Sequence, residues 1–199
     1  MKAALSSNEV VSLLKKGGVI AYPTDTAYGL GASVASIEGI KKVFKIKVRD
    51  RNKPLSVAVA SLSQAKEIAE FSNEALKLWR KFLPGALTVV LPLRPGLRRK
   101  KIWRLISGGT GTIGLRFPNN SIALAIVKKL GKPITATSAN LSGEPALYAS
   151  EDIEKHFADK RFRPDYIIRS RKLKKGRIST VVDCTGNEIK ILRQGSIRL

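Results

Sequence analysis

The sequence predicts an α/β protein, a mixed sheet with helices packed against it, drawn as one domain over residues 1–199. Three observations lead there. Strand-length apolar runs alternate with stretches of helical periodicity along most of the chain. The C-terminal end is strand-rich, which argues for mixed rather than purely parallel pairing. Hydrophobic residues make up 43% of the 199, enough for an ordinary packed core, and no internal repeat, linker or low-complexity tract divides them.

The elements follow in order. "AALSSNEVVSLLKK" reads as a short amphipathic helix stopped by Gly17-Gly18, and it lacks the apolar centre of a signal peptide. "VIAYPTDTAYGLG" (19–31) begins as a buried strand through Tyr22. After Pro23 it turns polar, and Thr24, Asp25, Thr26, Tyr28, Gly29 and Gly31 are read as one turn. Residues 37–46 place Ile37, Ile40, Val43 and Phe44 on one helical face. "LSVAVA" (55–60) is a buried strand. "SLSQAKEIAEF" is a helix with Ser61 and Gln64 at capping-box spacing, and "NEALKLWRKFL" is a helix stopped at Pro84-Gly85. "ALTVVLPL" and "TIGLRF" (112–117) are strands. "SIALAIVKKLG" is a helix closed by Gly131, and "PITATSAN" is a strand running into polar residues. "SEDIEKHF" is a short helix capped by Ser150, and "DYIIRS", "STVVDC" and "EIKILR" are strands.

Charge is the outlier in composition. Lys and Arg number 37 against 15 acids, a net +22, which calls for an anionic partner such as nucleic acid or a phosphorylated substrate, or else serves solubility. No apolar run approaches membrane length, so a soluble cytoplasmic protein without a membrane partner is expected. One cysteine and one histidine exclude an intrachain disulfide and a Cys/His zinc site.

Four polar clusters follow strands or helices, where ligands collect in open α/β sheets. They are the turn after Pro23; "KVRDRNKP"; "GGTGTIGLRFPNN", with Thr112 and Arg116; and "TSANLSGEP", with Ser138, Asn140 and Ser142. Each is also an ordinary turn composition. In the second, Lys47, Arg49, Arg51 and Lys53 alternate, and an extended segment would point them one way, toward polyanionic oxygen. Gly109–Gly114 fits G-x-G-x-x-G but precedes a strand instead of opening a helix, and no Walker A loop occurs, so both standard nucleotide motifs are rejected. Cys184 lies in an apolar run and reads as a buried thiol; His156 reads as surface structure without an acid or serine partner. What is left is a site of hydroxyls, amides and cations, which binds, orients and neutralises charge without attacking.

"AYPTDTAYGLGA", "KIKVRDRNKPLSV", "LPGALTVVL", "TIGLRFP", "TATSANLSGEP" and "STVVDCTGNEIKILRQGSI", in this order, resemble the YrdC/Sua5 family, the threonylcarbamoyl-AMP synthases, from about residue 8 to the C-terminus. The resemblance implies a twisted, open mixed α/β sheet with flanking helices and a basic concave cavity (YrdC/RibB-like), in the single-domain form. It implies that L-threonine, bicarbonate or CO2 and ATP, with Mg2+, become threonylcarbamoyl-adenylate and pyrophosphate. A separate threonylcarbamoyl-transfer complex would then modify adenosine 37 of tRNA to t6A. The family's K-x-R…S-x-N signature falls on Lys47, Arg49, Ser138 and Asn140, with Lys47 and Arg49 as catalytic cations. Arg49 and Lys53 would hold ATP phosphates; Thr112, Ser138, Asn140 and Arg193 would complete the nucleotide site. Thr26, Arg116 and Ser179 would hold threonine, Arg116 through its carboxylate. Two positions depart from the pattern: Ala146 where many relatives carry a hydroxyl, and Asn120 where many carry histidine. Two rival readings stand beside this one: a carbamoyl-transfer domain of the hydrogenase-maturation type, and a non-catalytic RNA-binding module. The second rests on "RPGLRRKKIWR" (94–104), with Trp103 interleaved, and on "RSRKLKKGR" (169–177), a glycine-containing loop taken as mobile and able to touch tRNA or double-stranded RNA.

Overall fold

The computed structural model describes residues 5–176, 178–186 and 188–199. It contains two mixed sheets flanked by helices. The smaller begins with β1 (Ile20–Pro23) and β2 (Tyr28–Gly31), an antiparallel hairpin. β8 (Tyr166–Ile167) lies parallel to β1, and β7 (Thr137–Ser138) lies antiparallel to β2, giving the order β7-β2-β1-β8. The larger sheet is built from β3 (Val57–Ala58), β4 (Leu87–Pro92), β5 (Thr112–Arg116), β6 (Ile134–Thr135), β9 (Thr180–Asp183) and β10 (Lys190–Arg193), in the order β10-β9-β4-β5-β3-β6. β4 is antiparallel to β5 and parallel to β9, so its register sets Thr88 opposite Arg116 and beside Val181.

The hairpin shows why the first polar cluster exists. Thr24 Oγ1 donates to the Ala27 carbonyl at 2.6 Å and accepts from the Thr26 and Ala27 amides, so one side chain closes the turn. Tyr28, Gly29 and Gly31 do not belong to that turn, as their glycines suggested; they form β2. The glycines are there because the Tyr22 ring lies across that strand. A Cβ on Gly29 would stand 3.2 Å from the ring and one on Gly31 2.9 Å. Tyr22 is fully buried, and its hydroxyl donates to the Thr135 carbonyl at 2.9 Å, tying the two sheets together.

α1 (Ser7–Lys15) carries the reciprocal Ser6–Glu9 capping box and buries Val10, Val11 and Leu14 beside α7 (Ser121–Leu130). α2 (Ile37–Lys47) starts on a Ser36 cap and buries Ile40, Val43 and Phe44. α4 (Asn73–Phe82) is capped by Ser72, and its Trp79 packs edge-on to Phe71. Asn120, one of the two departures, caps α7 by accepting from the Ala123 amide.

Several expectations are revised. The strand over 55–60 shortens to β3, and the helix over 61–71 to α3 (Leu62–Lys66). Gln64 Oε1 accepts from the Ala60 amide, so the predicted capping box is only half made. The basic stretch 94–104 folds into α5 (Pro95–Arg98) and α6 (Lys101–Ile106), with Trp103 buried in the core, so the ring is not available for stacking on RNA. "PITATSAN" splits between sheets on either side of Ala136. α8 (Ser150–Phe157) begins after Ala149; Ser150 is its first residue and donates to its neighbour Glu151. In 169–176, expected as a mobile loop, the Leu173 amide donates to the Tyr148 carbonyl and the Tyr148 hydroxyl to the Gly176 carbonyl; Arg177 lies outside the described residues. Cys184 is buried as predicted, and burial with Asp183 nearby pushes its thiol up to about 11. Among the described residues no helix is long and apolar enough to cross a membrane.

Gly31→Ala is expected to destabilise the fold by about 1–3 kcal/mol through overpacking against Tyr22. Denaturant unfolding measures it, and a loss below about 0.5 kcal/mol would show that the ring yields freely.

Candidate functional site

A cavity of about 470 Å³ opens between the hairpin turn, the segment after β7, the face of β4 and β5, and the approach to β9. Its lining carries Lys47, Arg49, Arg116 and Arg193 against the carboxylate of Glu144, together with hydroxyls at Thr26, Ser56, Thr88, Ser138, Ser142 and Ser179.

Arg116 ends β5 and is only 7% exposed. Its Nη2 donates to Asp25 Oδ1 at 2.7 Å and to Thr26 Oγ1 at 2.8 Å, so a cation of the larger sheet is neutralised by the hairpin turn of the smaller. Its Nε–H is buried and has no partner. A guanidinium pre-positioned this way, with a donor left over, suits a ligand carboxylate.

Lys47 is 2% exposed at the end of α2. Its ammonium donates to the Ser138 carbonyl at 2.6 Å, the Asn140 carbonyl at 2.9 Å and Asn140 Oδ1 at 3.2 Å. Those three contacts use all of its donors. The Lys47 carbonyl in turn accepts from the Ser142 amide, and the Asn140 amide group donates to the Glu144 carbonyl. The K…S-x-N set therefore fastens the segment after β7 to α2. Burial, with Arg49 nearby, draws the Lys47 pKa down to about 8.

The alternating row of cations does not exist as a row. The helix runs through Lys47, and Val48 closes it in the left-handed conformation at φ 48°. The chain then turns, with the Lys53 amide on the Asp50 carbonyl. Lys47 therefore points inward and Arg49 lines the cavity, while Arg51 and Lys53 are exposed outside its lining. Arg49 is held along one edge by the Lys53 carbonyl at 3.3 Å and the Pro54 carbonyl at 2.9 Å, and partial burial lowers its pKa. Three of its five N–H donors stay available.

Arg193 comes from the last strand and grips Ser179. Nε and Nη2 donate to its carbonyl at 3.1 and 2.9 Å, and Nη2 to its hydroxyl at 3.0 Å. Burial, then the nearby Arg116, lowers the Arg193 pKa. Ser179 Oγ also lies 3.2 Å from Thr88 Oγ1. Thr112 is not part of the cavity lining. It opens β5, four residues from Arg116, on the same face but about 13 Å away. Ala146, the other departure, lines the cavity without a hydroxyl.

Thr88, Ser56 and Glu144 are lining residues that the sequence reading missed. Thr88 had one legible signal, a lone hydroxyl in the apolar run "ALTVVL". His156, expected to lack an acid partner, has its Nε2 3.3 Å from Glu144 Oε2 without hydrogen-bond alignment, and its ring packs edge-on to Phe157. Among the described residues no three His, Cys, Asp or Glu side chains gather to hold a metal.

The Sua5/YciO/YrdC family model, described as telomere recombination, matches residues 12–195. The chain is 35% identical over 190 residues to threonylcarbamoyl-AMP synthase of Bacillus subtilis, covering 95% of this chain and 53% of that one. Pyrococcus abyssi Sua5, solved in complex with L-threonine, superposes with a TM-score of 0.85 at 33% identity, over 95% of this chain and 54% of that one. Escherichia coli YciO superposes with a TM-score of 0.83 at 29% identity, over 95% and 88%. The chain spans about half the length of the curated Bacillus and Pyrococcus relatives it matches.

Lys47→Met should destabilise the protein by about 1–3 kcal/mol, because buried carbonyls lose their donor. The lysine also leaves a pH signature. Its folded pKa of about 8 lies below the ordinary 10.5, so the unfolded chain binds more protons between those values. This residue's contribution therefore rises with pH from about 8 to 10.5 and is lost as pH falls through 8. Unfolding followed across that window should show the rise in the native protein and not in Lys47→Met; identical profiles would place the shift elsewhere.

Proposed function

Because the chain belongs to the Sua5/YciO/YrdC family, we propose that it is an L-threonylcarbamoyladenylate synthase, a nucleotidyltransferase that converts L-threonine, bicarbonate or CO2, and ATP into threonylcarbamoyl-AMP and pyrophosphate. The observation that carries this reading is Arg116, a buried guanidinium with an unpaired N–H beside Thr26, in a fold shared with a relative solved with L-threonine.

The residues divide the work. Arg116 takes the threonine carboxylate, and Thr26 and Ser179 flank it. Arg49, with its spare donors facing the cavity, takes phosphate oxygens. Arg193 and the Ser138 hydroxyl act from the nucleotide side, while Lys53 and Thr112, which lie outside the lining, would have to reach the phosphates from beyond it. Lys47 and Asn140 hold the segment that carries Ser138. In the reaction the threonine amine captures CO2 as a carbamate. A carbamate oxygen then attacks the α-phosphorus, and pyrophosphate leaves. The obstacle is the approach of an anion to a polyanion, which fixed cations relieve without a protein nucleophile. Mg2+ would enter on the nucleotide phosphates and share in neutralising their charge; Asp25 is committed to Arg116 and would not hold it. The product is consumed in the cytoplasm by a threonylcarbamoyl-transfer complex acting on adenosine 37 of tRNA, and the exposed cations of 169–176 offer the tRNA phosphates a contact.

Pyrophosphate release should require ATP, threonine and bicarbonate together, with the adenylate detected by mass; equal release without threonine or without bicarbonate would refute the assignment. Arg49→Ala should raise the KM for ATP roughly ten- to a hundredfold, as expected for a lost charge-assisted hydrogen bond of about 1.5–3 kcal/mol. Unchanged ATP kinetics would remove Arg49 from the site.

A further inference from the structure

We propose that Thr88 is a specificity-determining residue of the amino-acid pocket, its hydroxyl acting with that of Ser179 to read the β-hydroxyl of the substrate. The inference rests on the functional reading above and adds a residue to it.

Thr88 is 3% exposed, yet it lines the cavity. On β4 it stands directly opposite Arg116, and cross-strand neighbours of this kind have Cβ atoms about 5 Å apart. Its Oγ1 lies 3.2 Å from Ser179 Oγ, and that oxygen already accepts from Arg193 Nη2 at 3.0 Å. The two hydroxyls own two protons, but only one can lie between them. The second is unplaced whichever oxygen donates, and at least one of the two oxygens keeps acceptor capacity. The pair thus offers one donor and at least one acceptor, the complement of a neutral alcohol. Arg116 offers an N–H with no acceptor beside it, the complement of a carboxylate. The two recognition elements are neighbours on adjacent strands, as a short amino acid bearing both groups requires. Valine, of nearly the same shape, would fill the space and leave the hydroxyl pair unanswered.

The experiment compares binding and turnover of L-threonine and L-valine by native protein, Thr88→Val and Thr88→Ser. Thr88→Val keeps the shape and removes the hydroxyl. It should weaken threonine about tenfold while leaving valine and the KM for ATP near their native values, so the threonine-to-valine preference falls by the same factor. Thr88→Ser should restore the preference, and it keeps the test decisive if the valine variant folds poorly. Threonine affinity within twofold of native in Thr88→Val, or equal losses for threonine and valine, would overturn the proposal. Native protein that binds threonine but makes no adenylate would refute the activity and leave the pocket to be judged on binding alone. Native protein that binds no threonine would overturn both.

Discussion

Positive charge cannot be taken out of water unless protein oxygens replace the hydration, and this requirement organises the molecule around its cavity. Two cations meet it. Lys47 is enclosed by three oxygens from the end of β7 and the segment after it, and Arg116 by the carboxylate and hydroxyl of the hairpin turn. Each contact spans about ninety residues of sequence, and each joins separate pieces of the fold. The lysine fastens a helix to the edge of the smaller sheet; the arginine joins the end of a strand in the larger sheet to the turn of the smaller.

The two solutions leave different remainders. An ammonium has three donors, and Lys47 has none to spare. A guanidinium has five in a rigid plane, so Arg116, Arg49 and Arg193 can each be held by the protein on one side and still present donors on another. The spare donors therefore belong to the arginines, while the lysine is wholly engaged with the protein. Burial, then the nearby Arg116, lowers the Arg193 pKa, and an anionic ligand beside Arg193 would relieve that repulsion.

Val48 makes this division possible. A β-branched residue in the left-handed region costs about 1–2 kcal/mol relative to its preferred backbone, and Val48 is 75% exposed, so no burial of its own offsets the strain. What the conformation achieves is geometric. It ends α2 so that Lys47 still points inward from the helix, while two residues later Arg49 lies against the Lys53 and Pro54 carbonyls at the cavity.

Periodicity and punctuation along the chain determined most of the elements. The stop at Gly17-Gly18, the 3.6-residue face of Ile40, Val43 and Phe44, and the stop at Gly131 are local events that act over a few residues, so the sequence displays them directly. All four polar clusters contribute to the lining of one cavity, Arg49, Arg116 and Ser138 among them, and Ser179 and Arg193, which the family resemblance singled out, join them. What tertiary structure alone decided was which polar groups are spent and which are free. Alternation made Lys47, Arg49, Arg51 and Lys53 look equivalent, but a helix end separates them. The glycines of 29–31 looked like turn formers, but they make room for a tyrosine on the neighbouring strand. Thr88 looked like part of a core strand until its partners on β5 and before β9 were in place. In each case the deciding atom belongs to a residue distant along the chain, or to a neighbouring strand. A hydrogen bond is a property of two positions in space, and one position in the sequence does not contain it.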